Sequence, residues 1–430
     1  MMKIAIIADD LTGACDTGVQ LVNFDLEVAV AIQSKKKLQA DAIIYNTDSR
    51  SMEKQEAYLK VKEISQEIKK ESFDIIYKKI DSTMRGNIGS ELNALYDEFM
   101  PDFIFITPAH PGNGRIVQDG VHYLHGKELS KTEAAKDPKT PVNESNIANI
   151  IQRDAEKTVK HLNYKDLRKG YKSLLKLLED WKKQGIHYIT MDAILEEDFK
   201  TIIQLFQSEF SVILCGSAGL MNYIPDNLGY KLKKRKNELS YDDSPALFVV
   251  GSISEMGRKQ LNHLIENTNV LKVELDAVEV IKGGIKKDIE IEKMSADIKT
   301  AVKEGKSVVC YSSDNVEETK AIGEEQGISA IDISNIISEE LGNLSVSAIK
   351  ENNIKNLFLT GGDTAQQVFA KLGVQSYQLL GELELGVPIG KIDDVCMLNT
   401  ITKAGNFGTV EVMTKAFQLF QREEKKAENR

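Results

Sequence analysis

Cysteine is scarce in the sequence, and each cysteine stands alone. Four occur in 430 residues, Cys15, Cys215, Cys310 and Cys396, and no two of them form a Cys-x-x-Cys pair. That spacing argues against a zinc ribbon and against a thioredoxin-like redox motif. Scattered single cysteines in a long chain are typical of a reducing compartment, so we expect a cytoplasmic protein.

Long apolar runs are also missing. No stretch reaches the length of about 18 apolar residues that a membrane-spanning helix needs, so no membrane partner is expected. The apolar run that begins at Ile4 is short and ends in Asp9 and Asp10. It is predicted to be a buried strand and not a signal peptide.

Positive charge is in deficit. The chain has 55 Lys and Arg residues against 65 Asp and Glu residues, a net charge of −10. Such a chain repels nucleic acid and anionic membranes, so neither is expected as a partner. The basic cluster at 231–236 is interpreted as a solvated helix end and linker. An anionic substrate would therefore need a local positive pocket.

Two common nucleotide motifs are absent. No Gly-x-Gly-x-x-Gly follows a predicted strand, which argues against a dinucleotide-dependent dehydrogenase, and no Gly-x-x-x-x-Gly-Lys-Ser/Thr exists, which excludes a P-loop enzyme. His110, His122 and His125 lack the spacing of a metalloprotease helix. The polar stretch that contains them is therefore predicted to cover a pocket and not to hold a metal.

What the sequence does contain is a regular alternation of short apolar runs and longer amphipathic segments. Strands are predicted at 4–8, 28–32, 42–46, 73–78, 103–107, 188–191, 212–215, 247–250, 270–275, 307–311 and 356–359, and helices at 51–70, 170–184, 316–324 and 334–351. This alternation is typical of parallel sheets covered by helices on both faces. We predict an α/β fold of two tandem three-layer domains with mostly parallel sheets, at 1–236 and 245–430.

Ligands of open parallel sheets bind beyond the carboxyl ends of the strands, and the first half of the chain is polar there. Asp9, Asp10 and Asp16 follow the first strand, and a helix cap at Asp10 would explain one of them but not three. Lys79 ends a later strand, and Arg85 and a helix N-terminus follow it. These groups predict a positive pocket for a small carboxylate or phosphate.

The second half carries two glycine-rich turns. Gly361 and Gly362 follow a predicted strand and open a helix at Asp363, so their backbone amides can approach a phosphate. A second turn surrounds Gly405, and the hydroxyl of Ser252 at a helix start suits a phosphate or a cap equally. Two such turns in one domain favour a nucleotide site over simple close packing.

Six strings taken together resemble the four-carbon acid sugar kinase family. They are ADDLTGACDTG at 8–18, KKIDSTMRGNIGSEL at 78–92, DPKTPV at 137–142, GSISE at 251–255, TGGDT at 360–364 and KAGNFG at 403–408. They occur in family order and span nearly the whole chain. The string at 78–83 is similar to that of D-threonate and D-erythronate kinases, whereas kinases of 3-oxo-tetronates carry a different one. Leu11 and Asn406 depart from the usual Phe and Gly.

The resemblance implies an N-terminal domain that binds the sugar acid and a C-terminal domain that binds ATP with Mg²⁺. The implied reaction phosphorylates a tetronate at its terminal hydroxyl, giving the 4-phosphate. The implied substrate contacts are Asp10, Arg50, Lys79, Ile80, Asp81, Ser82 and Arg85. The implied nucleotide contacts are Ser252, Thr360, Gly361, Gly362, Asp363 and Gly405.

The sequence leaves several assignments open. The base that accepts the hydroxyl proton is expected to be Asp363, with Asp10 as the alternative. The metal ligands are not assigned, and a homodimer is the candidate assembly. A 3-oxo-tetronate kinase is an alternative function. An NAD-dependent sugar-acid oxidoreductase is less favoured because the dinucleotide motif is missing, and a non-catalytic sugar-acid binding protein because no export signal is present.

Overall fold

Runs of buried aliphatic residues form the central strands of both halves of the chain. In the first strand, Ile4–Ala8, all five side chains are buried, as expected of a parallel strand covered on both faces. The computed structural model describes residues 3–33, 37–137, 139–232, 239, 242, 244–251 and 254–421. The chain divides into two units, Met1–Val30 with Leu38–Lys234, and Ala31–Lys37 with Arg235–Arg430.

The strands up to the end of the first unit are β1 (Ile4–Ala8), β2 (Val28–Ala31), β3 (Ala42–Asn46), β4 (Ile75–Lys79), β5 (Phe103–Thr107), β6 (Arg115–Gln118), β7 (Val121–Leu124), β8 (Lys127–Glu128), β9 (Val159–Leu162), β10 (Tyr188–Met191) and β11 (Val212–Gly216). The helices are α1 (Leu11–Val22), α2 (Lys54–Lys69), α3 (Ile88–Phe99), α4 (Ile147–Gln152), α5 (Tyr164–Leu167), α6 (Tyr171–Lys183), α7 (Glu196–Phe206), α8 (Ala218–Met221) and α9 (Ile224–Asn227).

The main sheet of the first unit has the strand order β2-β3-β1-β4-β11-β5-β10-β9. From β3 to β9 every neighbouring pair is parallel, so the carboxyl ends of these strands share one edge. The strands β6, β7 and β8 form a separate small antiparallel sheet. The segment predicted to be a covering loop therefore contains sheet structure of its own.

The second unit contains the strands β12 (Ala246–Val250), β13 (Leu271–Leu275), β14 (Val308–Ser312), β15 (Asn356–Thr360), β16 (Ser376–Glu384), β17 (Val387–Ile392) and β18 (Leu398–Lys403). Its helices are α10 (Glu255–Asn267), α11 (Ala277–Lys282), α12 (Gly284–Lys303), α13 (Val316–Glu325), α14 (Ala330–Asn352), α15 (Gly362–Leu372) and α16 (Val412–Gln421). The strand order is β13-β14-β12-β15-β18-β17-β16.

In this second sheet the first five strands are parallel, and β17 and β16 are antiparallel additions. A core of aromatic and aliphatic side chains packs between the sheet, α10 and α16. Phe248 and Phe358 stack across β12 and β15 with ring centroids 5.3 Å apart, and Phe420 of α16 meets Phe248 edge-on. Burial of this apolar surface holds the parallel strands in register.

The predicted α/β class, with two tandem domains and mostly parallel sheets, is confirmed. The predicted strands agree with the structure to within two residues at each end. Helix α14 begins four residues before the predicted start because the Ser329 side chain caps it by accepting the Asp332 N–H.

Strands β16, β17 and β18 were not predicted. Pro388 and Gly390 interrupt the strand pattern of β17, although Gly390 allows the Tyr377 ring to pack closely.

The predicted boundary between the domains falls mostly outside the described residues. Of positions 237–244, the structure describes 239, 242 and 244, so the limits 236 and 245 stay predictions. Lys233 to Lys236 of the basic cluster also lie outside the described residues. Among the residues that are described, no helix combines the length and the apolar character that crossing a bilayer requires.

Candidate active site

Polar residues of the first unit meet at the carboxyl ends of β1, β3 and β4. Lys79 at the end of β4 lies beside Ala8 at the end of β1 in the parallel register. Asp10 then caps α1, its carboxylate accepting the Gly13 N–H at 2.9 Å. The loop after β3 brings Arg50 to the same edge, where its backbone N–H bonds the Asp9 carbonyl. Adjacent strand ends thus converge on one polar site, as the sequence predicts.

Arg50 is held by two carboxylates. Its Nε donates to Asp9 at 2.8 Å, and its two terminal nitrogens donate to Asp10 at 2.8 and 2.6 Å. Burial alone would raise the pKa of Asp9, but Arg50 holds that pKa below its ordinary value. The guanidinium therefore orders the aspartates after β1. Its predicted contact with a substrate carboxylate stays a prediction.

The two lysines at the end of β4 point to opposite faces of the sheet, as alternation along a strand requires. Lys78 is fully buried and pairs with Glu91 of α3, Nζ to Oε2, at 2.8 Å. Burial lowers the pKa of Lys78, but Glu91 and Asp9 outweigh that effect and raise it above its ordinary value. Lys78 is thus a structural cation inside the unit.

Lys79 lies on the site side of β4. Its Nζ donates to the Ile80 carbonyl at 2.9 Å, and the residue is 4% exposed. An added Cβ on Gly13 would lie 2.8 Å from this nitrogen, so the ammonium packs against the start of α1. The ion pairs found among the described residues include none for Lys79. Its predicted contact with the substrate stays a prediction.

The turn after β4 is tied together by charged hydrogen bonds. Arg85 donates from Nε to Asp81 at 2.6 Å and from a terminal nitrogen to Asp137 at 2.9 Å. Burial would raise the pKa of Asp81, but Arg50 and Arg85 hold it well below its ordinary value. Asp81 is therefore an ionised acceptor and a weak base.

The segment that carries the small antiparallel sheet contacts this turn directly. Arg115 of β6 donates to the Ser82 hydroxyl, and His122 of β7 donates to the Ser82 carbonyl at 2.7 Å. The side chain of Ile80 is fully buried and its N–H bonds the Gly216 carbonyl, so its carbonyl is its polar group at the site. Arg115 is a site residue that the sequence did not indicate, because it comes from a segment whose sheet structure was not predicted.

Asp16 differs from the other acids of the first unit. It lies three residues after Gly13 on α1, where the charges of Lys79, Arg115 and Asp10 affect its pKa. Burial raises the pKa of Asp16, and Lys79 and Arg115 offset the rise only in part. No hydrogen bond or ion pair among the described residues engages its carboxylate. The group is suited to accepting a proton, a property that its place in the sequence did not reveal.

In the second unit the first glycine turn follows β15. Gly361 has a φ of +100°, a conformation that favours glycine, and it precedes α15, which opens with Gly362 and Asp363. A Cβ on Gly251 would overlap the Thr364 hydroxyl, so the end of β12 touches the same helix start. The Gly361 N–H bonds the Lys403 carbonyl, so a phosphate at this turn would approach the N-terminus of α15 at Gly362 and Asp363.

The second glycine turn, at 404–409, is held by hydrogen bonds from buried side chains. The amide of the buried Gln260 donates to the carbonyls of Phe407, Gly408 and Thr409 at 3.0, 3.1 and 3.0 Å. The Gly405 carbonyl accepts from Lys403 at 2.9 Å. Ser252, predicted to contact the nucleotide, lies outside the described residues.

Among the described residues, no group of three or more His, Cys, Asp and Glu side chains is arranged to hold a metal ion. Mg²⁺ in phosphoryl-transfer enzymes is commonly held by one or two carboxylates together with substrate phosphates. Asp363, beside the first glycine turn, has the oxygen chemistry for that role. The donor set therefore fits Mg²⁺ brought with a nucleotide.

Comparisons with known proteins also divide the chain into two parts. Residues 4–224 match a family model described as a sugar-binding N-terminal domain, and residues 247–413 one described as a nucleotide-binding C-terminal domain. The chain is 32% identical to a D-threonate kinase of Salmonella typhimurium, over 98% of this chain and 99% of that one. It is 27% identical to a D-erythronate kinase of Heliobacterium modesticaldum, over 95% and 94%, and 26% identical to a 3-oxo-tetronate kinase of Haemophilus influenzae, over 97% and 100%.

Solved structures show the same fold. A Haemophilus influenzae protein superposes with a TM-score of 0.75 at 25% identity, covering 97% of this chain and all of that one. A Salmonella typhimurium protein superposes with a TM-score of 0.80 at 22% identity, covering 98% and 100%.

Proposed function

The chain belongs to the four-carbon acid sugar kinase family and is a phosphotransferase, and on that premise we propose that it transfers the terminal phosphoryl group of ATP to the 4-hydroxyl of D-threonate or D-erythronate. The full-length similarity to a D-threonate kinase and to a D-erythronate kinase supports this choice of substrate. The string at 78–83 supports it as well. The principal alternative is a 3-oxo-tetronate kinase, since such enzymes are also similar over the full length.

The observation that carries the proposal is Lys79. The neighbouring arginines, Arg50 and Arg85, are each paired with two carboxylates. Lys79 has a carbonyl partner instead, so a substrate carboxylate can form a charged hydrogen bond with its ammonium. The hydroxyls of a tetronate would then meet acceptors such as Asp10 and Asp81.

In the second unit we assign the triphosphate to the turn Thr360–Asp363 and to Gly405. Phosphoryl transfer depends mainly on positioning and charge stabilisation, and a bound Mg²⁺ would supply part of that stabilisation. Asp363 would hold that ion or accept the proton of the 4-hydroxyl, with Asp10 as the alternative base. Both oxygens of Asp10 already accept from Arg50, which makes Asp10 the weaker candidate.

The direct test is ADP release with D-threonate, D-erythronate, their L-isomers and 3-oxo-tetronates. The proposal expects the highest kcat/KM for one of the first two acids. Preference for a 3-oxo-tetronate would favour the alternative kinase. Binding of an acid without consumption of ATP would indicate a binding protein, and turnover of a nicotinamide cofactor would indicate an oxidoreductase.

Lys79→Ala is expected to raise KM for the sugar acid about 10- to 150-fold, because a hydrogen bond between charged groups contributes roughly 1.5–3 kcal/mol. ATP affinity should change little, since the nucleotide is assigned to the second unit. Steady-state kinetics with each substrate varied in turn measures both effects. Lys54→Ala is the matched control, because Lys54 is exposed and forms an ion pair with Asp154. An unchanged KM in Lys79→Ala would remove Lys79 from the substrate site.

We also propose a cytoplasmic location, supported by four cysteines that form no disulfide, of which Cys15, Cys215 and Cys310 are buried. Burial raises the pKa of Cys215 and of Cys310 to about 12, so neither thiol is poised to react. A homodimer stays a prediction, and light scattering on the purified chain would test it.

A further inference from the structure

Lys403 is a buried cation at the end of β18. The residue is 2% exposed, and its Nζ donates to the Thr360 hydroxyl at 3.1 Å and to the Gly405 carbonyl at 2.9 Å. No carboxylate forms an ion pair with it among the residues that the structure describes. Burial lowers its pKa to about 8, so most of the ammonium is charged at neutral pH.

A buried lysine of this kind is costly unless an anion neutralises it. Its two partners are neutral oxygens, and they belong to the two glycine turns of the unit, the one after β15 and the one after β18. The Gly361 N–H also bonds the Lys403 carbonyl at 3.1 Å. The cation therefore lies between the two turns to which the proposed function assigns the phosphates.

A cavity opens on the other side of the first glycine turn, beyond the ends of β12 and β14. It has a volume of about 100 Å³. Its lining includes Gly251, Ser312, Ser313, Ile333, Ile337 and Ser338. Aliphatic side chains with interspersed hydroxyls suit a purine ring and a ribose.

The cavity adjoins the glycine turn through Thr364. The Thr364 hydroxyl lies 3.5 Å from Ser338 Oγ, and its side chain occupies the space above Gly251. The strands follow one another in the order β14-β12-β15-β18, so the cavity, the first glycine turn and Lys403 lie in that order along the sheet edge. Neighbouring strands are about 4.8 Å apart, so β12 and β18 are separated by about 10 Å. That distance accommodates a triphosphate.

We propose that ATP lies across these strand ends, with its nucleoside in the cavity, its α- and β-phosphates on the Gly361–Gly362 turn, and its γ-phosphoryl group against Lys403. This inference rests on the proposed function, and it adds the orientation of the nucleotide and a residue that contacts the transferred group. As charge develops on that group, the ammonium stabilises it from a fixed position.

Lys403→Met tests the contact, because methionine fills similar space without the charge. Titration calorimetry with Mg-ATP and with Mg-ADP should show ATP affinity reduced at least about 10-fold, as expected for loss of a charged hydrogen bond, and ADP affinity changed less than about 3-fold. Lys403→Gln is the second variant in case methionine disturbs folding. Lys371→Met, at the far end of α15, is the matched control and should bind both nucleotides as the wild type does.

Ser334→Phe tests the proposed orientation of the nucleotide. Ser334 is an exposed residue of α14 at the cavity wall, so the larger ring should block the cavity without entering the core. ATP and ADP should then weaken together, by about 10-fold or more, while tripolyphosphate binding stays unchanged.

Equal weakening of ATP and ADP by Lys403→Met, or no weakening of either, would overturn the contact. Unchanged nucleotide binding by Ser334→Phe would overturn the orientation. A wild-type protein that binds no ATP would instead refute the proposed function, so the two failures are separable.

Discussion

Replacement of Asp363 by Asn should lower kcat by about 10²- to 10⁴-fold while the fold remains intact. Asp363 lies in the first turn of α15, two residues after Gly361, whose φ is positive. Asn retains the shape of the side chain and can still cap a helix, but it loses the charge that a base or a metal ligand needs. Single-turnover kinetics, with circular dichroism as the check on folding, would measure the effect.

Nucleotide affinity separates the two functional roles of Asp363. A variant that lacks only the base should bind Mg-ATP normally, whereas one that lacks a metal contact should bind it poorly. Glu56→Gln is the control, because Glu56 is an exposed acid in the first turn of α2 in the other unit. Near-normal turnover by Asp363→Asn would refute both roles, and Asp10→Asn and Asp16→Asn would then be compared as bases.

Lys78→Met should destabilise the first unit by about 3–5 kcal/mol, because it leaves the Glu91 carboxylate buried without its cation. Both side chains are at most 1% exposed, and Glu91 also accepts from the Ser49 hydroxyl at 2.5 Å. Burial already raises the pKa of Glu91 against the opposing effect of Lys78. The free energy of unfolding from urea titration, followed by probes in each unit, would measure the loss.

Two further variants make this test specific. Lys78→Met combined with Glu91→Leu should recover most of the stability, since a well-packed apolar pair can replace a buried ion pair. Lys70→Met removes an exposed ion pair with Glu67 and should cost less than about 1 kcal/mol. A Lys78→Met protein as stable as Lys70→Met would contradict the structural role assigned to the buried pair.

Lys78 and Lys79 show which features of the site can be predicted from the sequence and which cannot. Strand alternation alone predicts that one of the two faces the site and the other the interior. That Lys78 is the interior one depends on Glu91, which is 13 positions away on α3. The residue types of a positive pocket could be predicted from the sequence. Which of these charges pair with one another depends on tertiary contacts.

The same limit applies to the arginines. Arg50 pairs with Asp9 and Asp10 across about 40 residues of sequence, and Arg85 reaches Asp137 across 52. No local pattern marks such partners, so the sequence could not indicate that these guanidinium groups are already neutralised. The burial of Lys403 could not be predicted for the same reason. The string KAGNFG indicates a glycine-rich turn, but it does not show that the lysine before the glycines is buried.

Gly13 links the cap of α1 and the ammonium of Lys79 at one backbone position. Alanine favours a helix interior over glycine by about 0.5–1 kcal/mol, but its methyl group here would lie 2.5 Å from Asp10 Oδ1 and 2.8 Å from Lys79 Nζ. Asp10 caps α1, and loss of a cap costs about 0.5–2 kcal/mol, so alanine offers no net gain in stability. In a mutational library, survivors of heat and survivors of growth on the sugar acid should therefore both retain Gly13.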